Sequence, residues 1–420
     1  TTASNNTAVG YFALYANTTG TRNVAVGASS LDANTTGNYN IAVGNVSLSA
    51  NTTGSENTAL GDYALADNTT GAQNVAVGKQ ALGQNTTASD NTAVGFESLM
   101  DNTTGTNNTA VGKRAGYNIT TGDDNTAIGQ EALYTATTAS DNTAIGFQAL
   151  YYNTSGASNV AVGWNALVNN TTGGTNTGIG YQALTNNTTA AGNTAVGYNA
   201  LTANTTGTTS VAVGAYTLDA QTTGTQNTAL GYAAMSATTT GNYNTAVGTS
   251  ALSVHTTGNE NTAVGQGAMI ALTSGANNVA MGNYALAAVT TTAGNVAIGR
   301  YSLTATTGGY NTGLGYLTLT ACTTAGNNVA VGHQAGTAVT TGAGNTIVGT
   351  AAGDALTTGD NNVVIGYGAA VSAVDGTGAN VFGRAVSGEA GYTTLGSSSD
   401  DIRAAHGNVT WATVSDERYK

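Results

Sequence analysis

Apolar and polar positions recur along this chain in a phrase of 17 residues, close to N-T-A-V-G-x-x-A-L-x-x-N-T-T-G-x-x. The glycine that closes each N-x-A-V-G recurs every 17 residues from Gly10 to Gly299. After one step that is shorter by a residue, to Gly315, the period resumes and runs to Gly383. The chain therefore carries 23 phrases. A unit this short cannot bury a face by itself and must stack on its neighbours.

Within each phrase, positions are counted from this glycine as position 0. Asn stands at −4, Thr or Val at −3, Ala at −2 and Val, Ile or Leu at −1, a pattern that predicts a short strand. Ala or Ser at +3 and Leu at +4 predict a second short strand. The N-T-T-G at +7 to +10 predicts a turn, and the density of Gly, Thr and Asn excludes a helix. The sequence thus predicts an all-β fold, a parallel β-roll or solenoid of about 23 coils.

Stacking in register places identical side chains above one another, so the Asn residues at −4 are expected to form an amide ladder that bonds turn backbone. Three coils support a filled core, because Gly116, Gly336 and Gly353 replace the Leu at +4. In the same coils Ile119, Val339 and Leu356 replace the Asn at +7. Both faces of the first strand are apolar, and one roll covers only its inner face. We therefore expect a homo-oligomer.

The composition argues against several classes of function. Only 7% of the residues are charged and the net charge is −12, so the basic surface of a nucleic-acid binder is missing. No apolar run is long enough to cross a bilayer. A single cysteine, Cys322, and three scattered histidines predict no metal ion, and we expect no cofactor. His255 and His333 occupy variable positions, where a solvated or partly packed side chain is expected.

The N-x-A-V-G and N-V-A-I-G phrases, as at Asn74 to Gly78 and Asn295 to Gly299, resemble the head repeats of trimeric autotransporter adhesins. That resemblance covers most of residues 5–384 and implies a trimeric, left-handed parallel β-roll. It matches the strand and the glycine corner better than the N-T-T-G turn, where this chain has extra residues.

The end of the chain, from Trp411 to Lys420, reads W-A-T-V-S-D-E-R-Y-K. It resembles the start of the self-cleaving intramolecular chaperone that ends many phage tail fibres and tailspikes. The resemblance implies that Ser415 is the nucleophile, Asp416 the first residue of the released piece and Lys420 the candidate base. It also implies a domain order of repeat shaft (1–384), connector (385–414) and chaperone start (415–420), with the natural chain continuing past Lys420.

These features favour a structural and adhesive fibre, a trimeric shaft of a phage tail fibre or related injection particle on the virion. Its partners would be a host-surface glycan or protein receptor and other fibre or baseplate proteins, and no enzyme activity is expected beyond self-cleavage. Positions +1, +2, +5 and +6 would face solvent, where aromatic residues could stack on sugars or merely shield strand edges.

Two alternatives stay open. The same repeats would suit a bacterial cell-surface adhesin or an extracellular matrix filament. An ice-binding solenoid is more remote, because adjacent Thr side chains in an extended N-T-T segment would point to opposite faces.

Overall fold

The computed structural model describes residues 3–398, 400–407 and 412–413, and the chain forms two compact units, residues 1–210 and 211–420. The structure is all-β, with no helix among the described residues. It is a parallel β-solenoid of about 23 turns, as the sequence predicts. The predicted chaperone start, residues 415–420, lies outside the described residues.

Each coil of the first unit contributes one three-residue strand at positions −3 to −1, and strands pair in parallel at a spacing of 17 residues, as in Thr7↔Val24. The strands are β1 (Thr7–Val9), β2 (Val24–Val26), β3 (Ile41–Val43), β4 (Thr58–Leu60), β5 (Val75–Val77), β6 (Thr92–Val94), β7 (Thr109–Val111), β8 (Thr126–Ile128), β9 (Thr143–Ile145), β10 (Val160–Val162), β11 (Thr177–Ile179) and β12 (Thr194–Val196).

The second unit repeats this arrangement and then changes it. Its regular strands are β13 (Val211–Val213), β14 (Thr228–Leu230), β15 (Thr245–Val247), β16 (Thr262–Val264), β17 (Val279–Met281), β18 (Val296–Ile298), β19 (Thr312–Leu314), β20 (Val329–Val331), β21 (Thr346–Val348) and β22 (Val363–Ile365). The remaining strands are β23 (Ala370–Val371), β24 (Asn380–Arg384), β25 (Ser387–Gly388), β26 (Tyr392–Ser397), β27 (Asp400–Ala405) and β28 (Ala412–Thr413).

Strand pairing continues past the predicted end of the repeats at residue 384. Strand β26 pairs in parallel with β24, and β27 then pairs antiparallel with β26, from Tyr392↔Ala405 to Ser397↔Asp400. The predicted connector therefore contributes strands to the same sheet. The antiparallel hairpin pairs with the last coil where further parallel coils would otherwise stack.

The prediction of a second strand at +3 and +4 is wrong. The segment is a turn in which the residues at +2 and +4 adopt left-handed backbone, as in Ser29 (φ 51°) and Leu31 (φ 53°). Adjacent residues of a strand point to opposite faces, whereas the buried Ser30 and Leu31 must both point inward. The turn is still bonded between coils, because the Leu31 N–H donates to the Ser47 carbonyl at 3.0 Å.

The glycine at position 0 is required for two reasons. Gly10 has a φ of 139°, which side-chain-bearing residues rarely adopt. A methyl group on Gly10 would also lie 2.4 Å from the carbonyl oxygen of Gly27 in the next coil. This close approach between coils explains why the same residue type recurs at every step of the period.

The core holds Ala at −2 and Leu at +4 together with two ladders of buried Asn. At position −4, Asn159 accepts from the Asn176 N–H at 2.9 Å and donates to the Gly173 carbonyl at 2.9 Å. The predicted ladder is confirmed. A second Asn ladder, not predicted from the sequence, lies at +7 in the first unit, where Asn170 donates to the same carbonyl at 2.9 Å.

The filled core expected in the three coils with Gly at +4 is also confirmed. Ile119, Val339 and Leu356 are fully buried and replace the missing Leu at +4. Ile119 also ends the first run of the +7 ladder, because it cannot donate a hydrogen bond. The buried Oδ1 of Asn102, in the coil before, is consequently without a partner.

The left-handed positions can be tested with a pair of exposed serines in one coil. Ser158 at −5 has a φ of 59°, whereas Ser155 at +9 does not have a positive φ. Ser158→Gly should stabilise the first unit by about 0.5–1 kcal/mol, because glycine relieves the left-handed strain by more than it adds to the entropy of the unfolded chain.

Ser155→Gly is the matched control and should lower stability, since only the entropy term remains. Thermal unfolding of the two variants and the parent decides the matter. Equal or opposite shifts would show that the left-handed backbone is not strained.

Candidate binding face

Position +6 changes character in the first unit, in the coils between Asp62 and Tyr198. It is Ala in most other coils. Here it carries polar or aromatic residues in eight consecutive coils: Asp67, Gln84, Asp101, Asn118, Thr135, Tyr152, Asn169 and Asn186. These side chains lie outside the buried core positions −2, +4 and +7, so this variety serves the surface.

An aromatic ladder runs along position +1 of four consecutive coils. Trp164 stacks on Tyr181 with ring centroids 4.9 Å apart and planes at 7°, and Tyr181 stacks on Tyr198 at 4.9 Å and 6°. Phe147 lies 6.1 Å from Trp164 at its other side. Because each inner ring has a neighbour on both faces, it offers its edge to solvent. A sugar cannot stack on these inner rings.

A second ladder lies at position +5 and is partly buried. Tyr117, Tyr134 and Tyr151 are stacked at 5.3 and 4.9 Å, and burial raises the pKa of Tyr117 and Tyr151. Tyr152, at +6, is different because it packs edge-to-face on Tyr151 at an angle of 77° and is 50% exposed. Its neighbours along the +6 column, Thr135 and Asn169, are not aromatic.

An open groove of about 590 Å³ lies between the +6 and +8 columns. It is lined by Thr135, Tyr152, Thr154, Asn169, Thr171, Asn186, Thr188 and Thr205. The groove forms because the Asn at +7 points into the core between two outward columns, and because the +6 residues here are larger than Ala. None of the lining residues is charged.

Hydrogen bonds fix both sides of this groove. The Thr171 hydroxyl donates to the Thr188 carbonyl at 3.0 Å, as the other +8 threonines do to their next coils. Their hydrogens are therefore used within the protein. On the +6 side, the Asn169 amide nitrogen donates to Asn186 Oδ1 at 3.2 Å. That bond occupies one polar atom of each amide and leaves the Asn169 oxygen and the Asn186 nitrogen for a ligand.

A charged network lies on neighbouring coils of the same unit. Arg114 Nε and Glu97 Oε2 form an ion pair at 2.7 Å, and the Arg114 guanidinium lies 5.7 Å from the centre of the Tyr117 ring. Partial burial, helped by the charge of Glu97, raises the pKa of Asp101. In the part of the chain that the structure describes, no group of three His, Cys, Asp or Glu residues could hold a metal ion.

The N-T-T segment does not have the extended geometry that was expected to turn its two threonines to opposite faces and so to disfavour an ice-binding surface. Thr35 at +8 is half-buried and Thr36 at +9 is exposed, so both adjacent threonines lie at the surface. The segment is a bend and not an extended strand, and alternation does not apply to it. The Thr35 hydroxyl donates to the Thr52 carbonyl at 3.0 Å, which leaves only its oxygen to accept a hydrogen bond from water.

The candidate residues of the self-cleaving chaperone, Ser415, Asp416 and Lys420, lie outside the described residues, and their roles stay predictions. Cys322 occupies the +7 column, and burial raises the pKa of its thiol. His333 is exposed and stacks on Tyr316 at 5.4 Å, in line with the partly packed side chain expected.

The expectation of a solvated or partly packed His255 is wrong. This residue replaces Asn in the buried +7 ladder and is fully buried. Its Nδ1 lies 3.2 Å from the Thr238 hydroxyl, and its Nε2 has no hydrogen bond of normal geometry. Burial lowers the pKa of His255 to about 4, although the nearby Gly258 carbonyl opposes the shift.

The fold and this surface define a class, a parallel β-solenoid repeat protein with a varied face on a regular core. Comparison with known protein families, curated proteins and solved structures finds no match. No helix among the described residues is long and apolar enough to cross a membrane.

The buried histidine predicts a pH dependence of the second unit. The pKa of His255 is about 4 in the fold and 6.5 when unperturbed, so the unfolded chain binds more protons between these values. The contribution of the neutral, buried His255 to the stability of the second unit is therefore fully present above about pH 6.5. It is lost as the pH falls towards 4, and the loss is about 3 kcal/mol.

Urea unfolding between pH 7 and pH 4 measures this loss by comparison with the variant His255→Asn. The variant carries at +7 the residue found there in most coils of the first unit. The carboxylates titrate in both proteins, so the difference isolates the histidine. The variant should gain relative stability as the pH falls, and parallel pH profiles would contradict the assignment.

Proposed function

We propose that this chain is the shaft of a homotrimeric attachment fibre, carried on a phage tail or related injection particle, that contacts the host surface. The observation that carries the proposal is the outward face of the strands. Positions −3 and −1 hold Thr, Val, Ile and Leu in coil after coil, with Val43 at 37% and Ile128 at 38% exposure.

An apolar column repeated in this way calls for a partner. Scattered exposed apolar residues are ordinary, but contiguous apolar patches of more than a few hundred Å² mark interaction surfaces on soluble proteins. The Ala at −2 fills the chain's own interior, so the outward residues are not needed there. A second and third copy of the same chain, presenting the same columns, would cover them.

The order of three and the phage setting rest on the sequence resemblances. The N-x-A-V-G phrases support a trimer, and the S-D-x-R-x-K segment supports a fibre that a chaperone aligns. By the same resemblance we propose scission between Ser415 and Asp416, with Lys420 as the base, in a precursor that extends past Lys420. Gel electrophoresis of such a precursor, with and without Ser415→Ala, tests this step.

The interface can be tested by placing charges on the outward column. Ile128→Glu, Ile145→Glu and Val162→Glu occupy position −1 of three neighbouring coils. If other copies cover this column, the three substitutions should bury like charges and dissociate the oligomer. The molecular mass measured by light scattering should then fall from about three times the chain mass of 41.2 kDa towards the mass of a single chain.

The matched control is Thr121→Glu, Thr138→Glu and Ser155→Glu, at the exposed position +9 of three neighbouring coils, which should leave the mass unchanged. A parent protein that scatters as a monomer would overturn the trimer.

Attachment is tested separately, with fluorescently labelled protein on a panel of bacterial strains. Saturable binding that unlabelled protein competes away would support the proposal, and its absence on every strain would oppose it. Gold-labelled antibody on phage tails would favour the injection particle. Label on cell envelopes would favour a bacterial adhesin.

A further inference from the structure

We propose that the groove between the +6 and +8 columns, around Tyr152, Asn169 and Asn186, binds an uncharged linear oligosaccharide. The inference rests on the proposed attachment function and assigns it a receptor class and a place on the first unit. It starts from the groove of about 590 Å³, a size within the range of ligand sites.

The groove is a feature of these coils and not of the fold. Wherever position +6 is Ala, one side of the groove is missing, as at Ala33 and Ala203 on either side of the varied stretch. Tyr152, Asn169 and Asn186 raise that side over three consecutive coils. Since the core is unchanged, folding does not explain these larger side chains.

The lining has two kinds of surface. On one side the hydroxyls of Thr154, Thr171 and Thr188 donate to backbone carbonyls, so each threonine contributes its methyl group and an acceptor oxygen. On the other side stand one aromatic ring and two amides. A pyranose ring has the matching pair of surfaces, an apolar C–H face and a rim of hydroxyls that donate and accept.

The absence of charge selects among ligands. The chain as a whole carries a net charge of −12, yet none of the residues that line the groove is Asp, Glu, Lys, Arg or His. An anionic glycan or a phosphate would meet no cation there and would be repelled by the protein's overall charge. A cationic ligand would find no carboxylate. An uncharged oligosaccharide needs neither a cation nor a carboxylate in the groove.

Tyr152 is the aromatic residue best placed to contact such a ligand. The inner rings of the two aromatic ladders are covered on both faces by neighbouring rings. Tyr152 instead contacts Tyr151 edge-to-face and lines the groove. The face of an aromatic ring is electron-rich and can pack against the C–H face of a sugar, and the inner rings of the ladders do not expose that face.

The experiment is titration calorimetry of the full chain with six hexasaccharide-scale probes. Malto-, isomalto-, cello- and fully N-acetylated chitohexaose are uncharged, whereas oligosialic acid and oligogalacturonate are anionic. At least one uncharged probe should bind saturably and the anionic probes should not. Tyr152→Ala should weaken that binding about tenfold, and Asn169→Ala with Asn186→Ala should weaken it further.

These variants should fold as the parent does, because Ala is the usual residue at +6, and equal thermal midpoints will verify this. Tyr367→Ala removes an exposed ring in the second unit, 61% exposed, and should leave binding unchanged. The inference is overturned if no uncharged probe saturates, if an anionic probe binds better, or if the +6 variants bind as the parent does.

The two proposals fail differently. If the protein binds cells and a variant that combines Tyr152→Ala, Asn169→Ala and Asn186→Ala binds them equally well, the groove assignment is wrong and attachment stands. If no strain is bound but an uncharged probe binds in the groove, the site stands and the proposed attachment fails.

Discussion

The structure depends on satisfying one backbone carbonyl in the interior of each coil. The Gly173 carbonyl is buried where the N-T-T-G turn meets the strand, and it accepts from Asn159 and from Asn170. Each of these amides also bonds to the coil before or after it. A buried carbonyl left without a donor would be costly, so Asn recurs at −4 in nearly every coil, and Asn at +7 adds a second donor in most coils of the first unit.

This constraint separates the chain into positions that repeat and positions that are free to vary. Where the +7 ladder is abandoned, an apolar residue such as Ile119 takes over, and the cost appears as an orphaned oxygen on Asn102. On the outside, stacked rings such as Trp164 on Tyr181 occur in only a few coils. Those rings mark particular coils among near-identical ones.

Much of the fold could be predicted from the sequence, because period, strand and Asn ladder all follow from position counting. The turn at +2 to +4 could not, because propensity assigns Leu31 to a strand, and only the need to bury it together with Ser30 selects left-handed backbone. His255 was misjudged because +7 looked like a turn position. The groove was missed because it depends on three +6 side chains, although their departure from Ala was visible.

The most direct test of this account compares two Asn→Ala substitutions by thermal unfolding. Asn159→Ala removes a ladder amide and leaves the buried Asn176 N–H without its acceptor. The loss should be about 2–3 kcal/mol, which lowers the midpoint of a unit this size by several degrees. Asn186→Ala removes the same side chain at the surface and should leave the midpoint within about 1 °C of the parent. Equal midpoints for the two variants would contradict the claim that the buried amide ladders hold the coils together.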